Sequence, residues 1–293
     1  MAIRIRRYAT ASEFLQRAEP WLLRAEAANN LVLSVAHAIA RGEAAGGGHA
    51  YFATVERDGA VAGCAFRTPP YKLGLSRMPL GAAAALAEDV AGVYDRIPGV
   101  LGPEPEALGF ADEWGPPRGL VARRGMRQRI YRLHAVTPPA ILPPGRARRA
   151  VAADMPLVGQ WLAAFGEEVR LPVERAEDVA ARFLERGELF VWEHAGLAAM
   201  AAWVGRTPHG VRIAFVYTPP ERRGHGYATA LVADVTERIL AAGYRFACLF
   251  TDLGNPTSNR IYASIGYQPV CDVVDVELVA PDGAEPPAAA AGT

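Results

Sequence analysis

The stretch that decides the fold comprises residues 215–231 and reads FVYTPPERRGHGYATAL. Its first residues complete a predicted strand, Val211–Tyr217, in which alternate apolar side chains face one way. Two prolines end the strand, and Gly224 and Gly226 precede a predicted helix that continues to about Ala242. The pattern therefore predicts a strand, a glycine-bearing loop and a helix in direct succession.

The start of this helix is predicted to bind an anion. The first turn of a helix leaves its N–H groups unpaired and carries a positive partial charge. Glycines let the backbone approach a ligand closely, and Arg222 and Arg223 add positive charge, so the loop suits a pyrophosphate. The Gly-Lys-Ser/Thr ending of a P-loop is missing, and Thr229 stands where a dinucleotide fingerprint needs a glycine.

A second motif follows at residues 249–267, which read LFTDLGNPTSNRIYASIGY. A short buried strand is predicted to end here, and Asn255 is then predicted to cap a helix that has Pro256 in its first turn. Gly266 lies just past the predicted end of the helix. Asn255, Asn259 and Tyr262 share one side of this helix because their spacings are four and three.

The two motifs together resemble the acyl-CoA-binding signatures of the GNAT superfamily of acetyltransferases, with Arg223, Gly226 and Ala228 forming its Arg-x-x-Gly-x-Ala pattern. The resemblance covers about residues 146–279 and implies acetyl-CoA as co-substrate. It implies that the strand before the loop pairs with the pantetheine arm and that the loop amides hold the pyrophosphate. The residues it assigns to acetyl-CoA are Phe215, Val216, Tyr217, Arg222, Arg223, Gly224, His225, Gly226, Tyr227, Ala228, Thr229, Asn255, Asn259 and Tyr262.

The resemblance also implies the chemistry, which is direct attack of a neutral amine on a thioester without a metal. Tyr262 matches the tyrosine that faces the CoA sulfur and protonates the departing thiolate as general acid. Many family members carry a glutamate on the strand before the loop, but Val211–Tyr217 contains no acid. A water chain, or an acid from another segment, must then act as base; Glu168 is the acid that we name, and Glu167 and Glu193 are the other candidates.

The chain is predicted to contain two copies of one α/β (α+β) fold, each a mixed, mostly antiparallel sheet flanked by helices. Predicted hairpins at residues 51–66 and 189–204 are separated by about half the chain. Four prolines within residues 137–145 predict a linker. The predicted domains are residues 1–136 and 146–280, followed by a disordered tail, 281–293.

The first half lacks the Arg-x-x-Gly-x-Gly/Ala pattern after its hairpin. It resembles the degenerate first domain of tandem GNAT proteins, and we expect it to be catalytically silent. Trp161 and Phe165, in the second half, are expected either to line the acceptor pocket or to pack in the core.

Composition limits the partners. The 31 Lys and Arg residues balance 31 Asp and Glu, so bulk charge favours neither nucleic acid nor a membrane surface. The three cysteines and six histidines show no metal-ligand spacing. Because the sequence contains no signal peptide and no apolar stretch of membrane-spanning length, we expect a cytoplasmic protein.

The expected activity is acetyl transfer to the amine of a small molecule, by a monomer or homodimer. Two alternatives stay open at this point. One is a non-catalytic acyl-CoA sensor or interaction module, and the other is a protein N-acetyltransferase.

Overall fold

The computed structural model describes residues 2–43, 50–169 and 175–281. By contacts, the chain divides into two compact units, which are residues 1–128 together with 271–293, and residues 129–270. The sequence-based prediction instead placed the boundary between the two domains at the proline-rich segment, residues 137–145. The predicted disordered tail lies outside the described residues, apart from its first residue.

Two runs of elements have the same order. The first run is β1 (Ile3–Arg7), α1 (Ala11–Leu22), α2 (Asn30–Ala40), β2 (Tyr51–Arg57), β3 (Ala60–Arg67), β4 (Leu73–Leu75), α3 (Ala83–Ala91), β5 (Gly99–Gly102), α4 (Glu104–Trp114) and β6 (Val121–Leu133). The second run is β7 (Arg146–Arg149), α5 (Met155–Glu168), α6 (Ala176–Glu185), β8 (Leu189–Glu193), β9 (Leu197–Val204), β10 (Gly210–Tyr217), α7 (Tyr227–Ala241), β11 (Phe246–Asp252), α8 (Pro256–Ser264) and β12 (Gln268–Val279). The repeat that the two hairpins predicted therefore extends to every helix and strand of these runs.

Each unit contains a mixed sheet. In the first unit the strand order is β1-β2-β3-β4-β5-β12, and the β4–β5 pair is parallel while the other registered pairs are antiparallel. In the second unit the order is β6-β11-β10-β9-β8-β7, and here β10 and β11 form the parallel pair. The predicted fold class, with mixed and mostly antiparallel sheets flanked by helices, is confirmed.

The last strand of each run crosses the division between the units. Residues 271–279 of β12 belong to the first unit, where Val276 pairs with Val100 of β5. Residues 129–133 of β6 belong to the second unit. The division therefore does not coincide with the end of either sequence repeat.

In the second unit, helices cover both faces of the sheet. Leu231, Val235 and Ile239 of α7 are fully buried in one core cluster, as their spacing predicted. On the opposite face, α5 and α6 pack against Met200 and Ala202 of β9 in a second cluster. The N-terminal end of α7 lies beside the end of β10, because only the short loop at residues 218–226 separates the two elements.

The placement of β12 yields a stability prediction. Val276 is fully buried in the core of the first unit, so Val276→Asp should lower the free energy of unfolding by at least about 3 kcal/mol. Hydrogen exchange should show the lost protection in β4 and β5. The matched control is Val270→Asp, because Val270 lies on the same strand but is 37% exposed. Equal stability of both variants would contradict the assignment of β12 to this core.

Candidate active site

The centre of the candidate site is the point where β10 and β11 stop pairing. The two strands are in parallel register from Gly210 and Phe246 to Ile213 and Leu249. The registered pairing ends there, although β10 continues to Tyr217 and β11 to Asp252. Past Ile213, the backbone groups that would join the strands are therefore open to a ligand. We call this opening the fork.

A β-bulge in β10 accompanies the fork. The register between β10 and β9 shifts between Ala214 and Tyr217, so β10 carries one extra residue over this interval. Phe215 lies in the bulge with φ of 54°, a left-handed conformation that is costly for a bulky residue. Its ring packs against Phe165 and Phe183, with centroid distances of 5.6 Å and 5.5 Å. These contacts hold the strained residue in place.

The loop after β10 presents the start of α7. Gly224 and Gly226 both have φ of 80°, and the first helical bond joins the N–H of Ala230 to the carbonyl of Gly226 at 3.0 Å. The N–H groups of residues 227–229 therefore precede the helical ladder and have no partner within it. A Cβ at Gly224 would meet nothing within 4 Å, so the loop requires this glycine for its φ and not for space inside the protein.

The two loop arginines are tied to the protein. Arg222 donates to the carbonyl of Ala195 at 3.1 Å. Arg223 donates through Nε to the carbonyl of Thr218 at 2.9 Å and through Nη2 to Glu168 at 2.6 Å. Arg223 thus joins the loop to the end of α5, and both arginines hold the loop in shape while adding positive charge to it.

Tyr227 and His225 support the loop through their side chains. The Tyr227 ring is buried, and its hydroxyl lies 2.7 Å from Nδ1 of His194. The His225 ring stacks on Tyr227 with centroids 5.6 Å apart. Nδ1 of His225 lies 2.8 Å from the carbonyl oxygen of Arg223, so this nitrogen carries the hydrogen. The Tyr227 side chain is thereby taken up within the protein, whereas the exposed His225 ring is engaged through Nδ1 alone.

The second motif folds as its capping pattern predicted. Asn255 caps α8 by accepting from the N–H of Ser258 at 3.1 Å. Asn259 has a different setting, because its Nδ2 donates to the carbonyls of Asp252 at 2.8 Å and Asn255 at 2.7 Å. Its Oδ1 accepts from the Tyr131 hydroxyl at 3.2 Å. Asn259 therefore holds the turn between β11 and α8 and keeps only one acceptor position for a ligand.

Tyr262, the predicted general acid, lies on α8 and is 7% exposed. Burial raises the pKa of its phenol to about 12. The hydroxyl therefore carries its proton throughout the neutral range, as a general acid must. The ring packs edge to face on Tyr267, with centroids 6.1 Å apart.

The three carboxylates that we considered as bases are either paired with arginines or exposed. Glu193 binds Arg148 at 3.1 Å and Arg146 at 3.3 Å, and the hydrogen bond from Arg148 lowers the pKa of Glu193. Glu168 is the ion-pair partner of Arg223, and Glu167 is exposed. Taking up a proton on Glu168 would weaken its bond to the loop, so the arrangement favours a bracing role for this residue.

The aromatic residues of α5 pack in the core behind the fork. Trp161 is 6% exposed, and its ring lies 6.1 Å from that of Tyr217. Burial raises the pKa of Tyr217, whose ring also lies 5.8 Å from the Arg223 guanidinium. With Phe165 against Phe215, these contacts fix the end of β10 from one side.

The first unit lacks the equivalent opening. Its parallel pair, β4 and β5, is registered at Leu73 with Val100 and at Gly74 with Leu101. The next pair also stays in contact, because a Cβ on Gly102 would lie 2.9 Å from Cβ of Leu75. Between residues 76 and 82, which are all described, no residue has a left-handed φ. Both the fork and the glycine loop are therefore particular to the second unit.

No group of three or more His, Cys, Asp or Glu side chains within residues 2–43, 50–169 and 175–281 is placed to hold a metal ion. In the same part of the chain, no helix combines the length and apolar character needed to cross a membrane.

Comparisons with known proteins agree with this geometry. Residues 191–274, which include β10, the loop, α7 and α8, match the family described as FR47-like protein. No curated protein matches the sequence.

Three solved structures share the fold over nearly their whole length. A GCN5-related N-acetyltransferase from Sphaerobacter thermophilus has 19% identity and a TM-score of 0.62, with coverage of 95% of this chain and 96% of that chain. A GNAT-family acetyltransferase from Colwellia psychrerythraea has 14% identity and a TM-score of 0.59, with coverage of 94% and 99%. A tandem GNAT protein from the clavulanic acid biosynthesis pathway has 15% identity and a TM-score of 0.55, with coverage of 95% and 98%.

The chain therefore has the fold of the GNAT acetyltransferases, and the resemblance predicted from the two motifs is confirmed.

The ion pair between Glu168 and Arg223 can be tested against the predicted role of Glu168 as base. If Glu168 braces the loop, Glu168→Gln should weaken acetyl-CoA binding about 1.5- to 5-fold, since exposed pairs contribute about 0.2–1 kcal/mol. The kcat of the Glu168→Gln variant should change by a smaller factor than its dissociation constant for acetyl-CoA. Glu167→Gln is the matched control on the same turn of α5. A fall in kcat of about 100-fold or more with unchanged acetyl-CoA affinity would instead identify Glu168 as the base.

Proposed function

We propose that this protein is an acetyl-CoA-dependent N-acyltransferase that moves an acetyl group directly to the amine of a small molecule. The observation that carries the proposal is the fork between β10 and β11, which opens beside the N-terminal end of α7. One ligand with an anionic segment and an extended, amide-containing arm can use both features at once.

The residues of the site fit such a ligand. The N–H groups of Tyr227, Ala228 and Thr229, together with the positive end of α7, suit a pyrophosphate. The unpaired backbone of β10 at Phe215 and Val216 offers hydrogen bonds to amides along the fork. Acetyl-CoA supplies the acetyl group as a thioester, and its pantetheine arm contains amides of this kind.

The chain would contribute positioning and proton transfer. An N–H of the bulged part of β10 is fixed in place before reaction and can polarise a carbonyl in the fork. The phenol of Tyr262 remains protonated at neutral pH and can give its proton to the departing sulfur. The amine would arrive as the free base and form the C–N bond as the C–S bond breaks, and the proton that nitrogen then loses would pass to solvent, from which the Tyr262 phenol is reprotonated.

The first unit is proposed to be catalytically silent. It has the same order of elements, but its parallel strands stay in contact at Leu75 and Gly102, and its loop has no left-handed residue. Acetyl-CoA binding is therefore proposed for the second unit alone.

The main alternative is an acyl-CoA sensor without catalytic activity. A sensor needs the loop and the fork but gains nothing from a buried phenol that stays protonated at neutral pH. Release of free CoA thiol in the presence of an amine library separates the two functions. Turnover only with peptides or proteins would favour the protein N-acetyltransferase alternative.

The loop assignment predicts the effect of Gly226→Val. A side chain at this position would both disturb the left-handed turn and stand where the loop backbone must approach the ligand, so acetyl-CoA binding should be lost in calorimetry. The matched control is Gly243→Val at the other end of α7, where φ is 93°. Both variants carry a similar backbone strain of about 1–2 kcal/mol, so only the loop variant should lose binding. Retained binding in Gly226→Val would contradict the loop assignment.

The general-acid assignment predicts the effect of Tyr262→Phe. This variant keeps the ring but loses the proton donor, so kcat should fall about 10- to 1000-fold while the acetyl-CoA affinity stays nearly unchanged. Tyr244→Phe, a change in a partly buried tyrosine beyond α7, serves as control. Thiol release measured at saturating acetyl-CoA gives kcat, and unchanged turnover in Tyr262→Phe would remove the residue from the mechanism.

A further inference from the structure

Arg212 is a charged residue in the middle of the central strand β10. Its Cα is opposite Val204 on β9 and opposite Cys248 on β11. Its chain neighbours Val211 and Ile213 are buried in the core beneath α7. Because side chains alternate along a strand, Arg212 projects to the other face of the sheet, where α5 and α6 pack.

The guanidinium of Arg212 has no acidic partner among the described residues. Its Nε is enclosed by the protein and makes no hydrogen bond. Its Cζ lies over the ring of Phe250, 5.1 Å from the ring centroid. Burial lowers the pKa of Arg212, in contrast to Arg148, whose hydrogen bonds to Asp154 and Glu193 raise its pKa.

This setting is unfavourable for folding alone. Arg212 is half-buried, and its enclosed Nε lacks a hydrogen-bond partner, which costs stability that a cation–π contact offsets only in part. An apolar side chain of similar size would pack on Phe250 without leaving Nε unsatisfied. A residue that breaks a local rule in this way, next to a site, is a candidate for function.

The guanidinium of Arg212 lies close to the fork, where a bound ligand could reach it. Arg212 immediately precedes Ile213, the last residue of β10 that is in register with β11. Phe250 immediately follows Leu249, the last paired residue of β11. The guanidinium on the Phe250 ring therefore lies where the two strands part, on the face opposite the cluster that contains α7 and Tyr262.

We propose that Arg212 binds the carboxylate of the acceptor, so that the acceptors are small amines that carry a carboxylate, as amino acids do. This inference rests on the proposed function, since it assigns the acceptor end of the same site. Phe250 holds the guanidinium plane, and the Nη groups can then bind both oxygens of one carboxylate. Because Nε is enclosed, the acceptor would meet the end of the guanidinium and not its side.

Product binding tests the inference without requiring turnover. The probes are a panel of N-acetyl-L-amino acids, each compared with its own primary amide, and binding is measured by calorimetry in the presence of CoA. We expect at least one acid to bind about 10- to 100-fold more tightly than its amide, the range for a charge-assisted bidentate contact. Arg212→Gln should reduce this ratio to less than about twofold, and Arg212→Lys should keep part of it.

Thermal melting shows whether Arg212 has only a structural role. Arg212→Gln removes a half-buried charge whose Nε has no hydrogen-bond partner, so its Tm should equal or exceed that of the wild type. Should Arg212→Gln fail to fold, the acid-to-amide ratios of the wild type and Arg212→Lys carry the test. A panel without any preference for acids, or a preference that survives in Arg212→Gln, would overturn the inference.

The outcomes also separate this inference from the transferase proposal. Thiol release with neutral amines and no preference for acids would leave a transferase but reject the carboxylate site. A preference for acids that depends on Arg212, with no acetyl-CoA binding or thiol release, would keep the carboxylate site and reject the transferase.

Discussion

The bulge in β10 is the constraint on which the candidate site depends. One extra residue between Ala214 and Tyr217 coincides with the end of the pairing with β11, although both strands continue. The strained backbone of Phe215 persists because the rings of Phe165 and Phe183 pack around it. The core between the sheet and helices α5 and α6 therefore does more than stabilise the unit, since it also keeps open the backbone groups that a ligand would use.

The charges around the loop act mainly through geometry. Arg222 and Arg223 each donate a hydrogen bond to a backbone carbonyl, and Arg223 also binds Glu168. Because both side chains are held, the loop keeps its two left-handed glycines and directs the first N–H groups of α7 to one place. Helix amides that are fixed in this way bind an anion without first losing conformational freedom.

Local patterns of the sequence predicted those features that depend on neighbouring residues. The apolar face of α7 and the Asn255 cap of α8 are confirmed because a helical repeat and a capping side chain act within a few residues. The bulge at Phe215 could not be predicted, since no glycine marks it between Ala214 and Tyr217. The contact of Asn259 with Tyr131 joins residues 128 positions apart, and no pattern of spacing reveals such a partner.

The comparison of the two repeats shows why element order alone does not make a site. Both repeats place a parallel strand pair before a helix, yet Leu75 packs directly against Gly102 in one, while β10 and β11 part after Ile213 in the other. A glycine thus closes the first pair, because the absent side chain lets the neighbouring strand approach. In the second pair an extra residue opens the strands. In these two repeats, single residues at the end of the parallel pairing therefore decide whether the strands stay together or open for a ligand. Arg212, whose Nε has no hydrogen-bond partner, lies next to the same position in the second repeat.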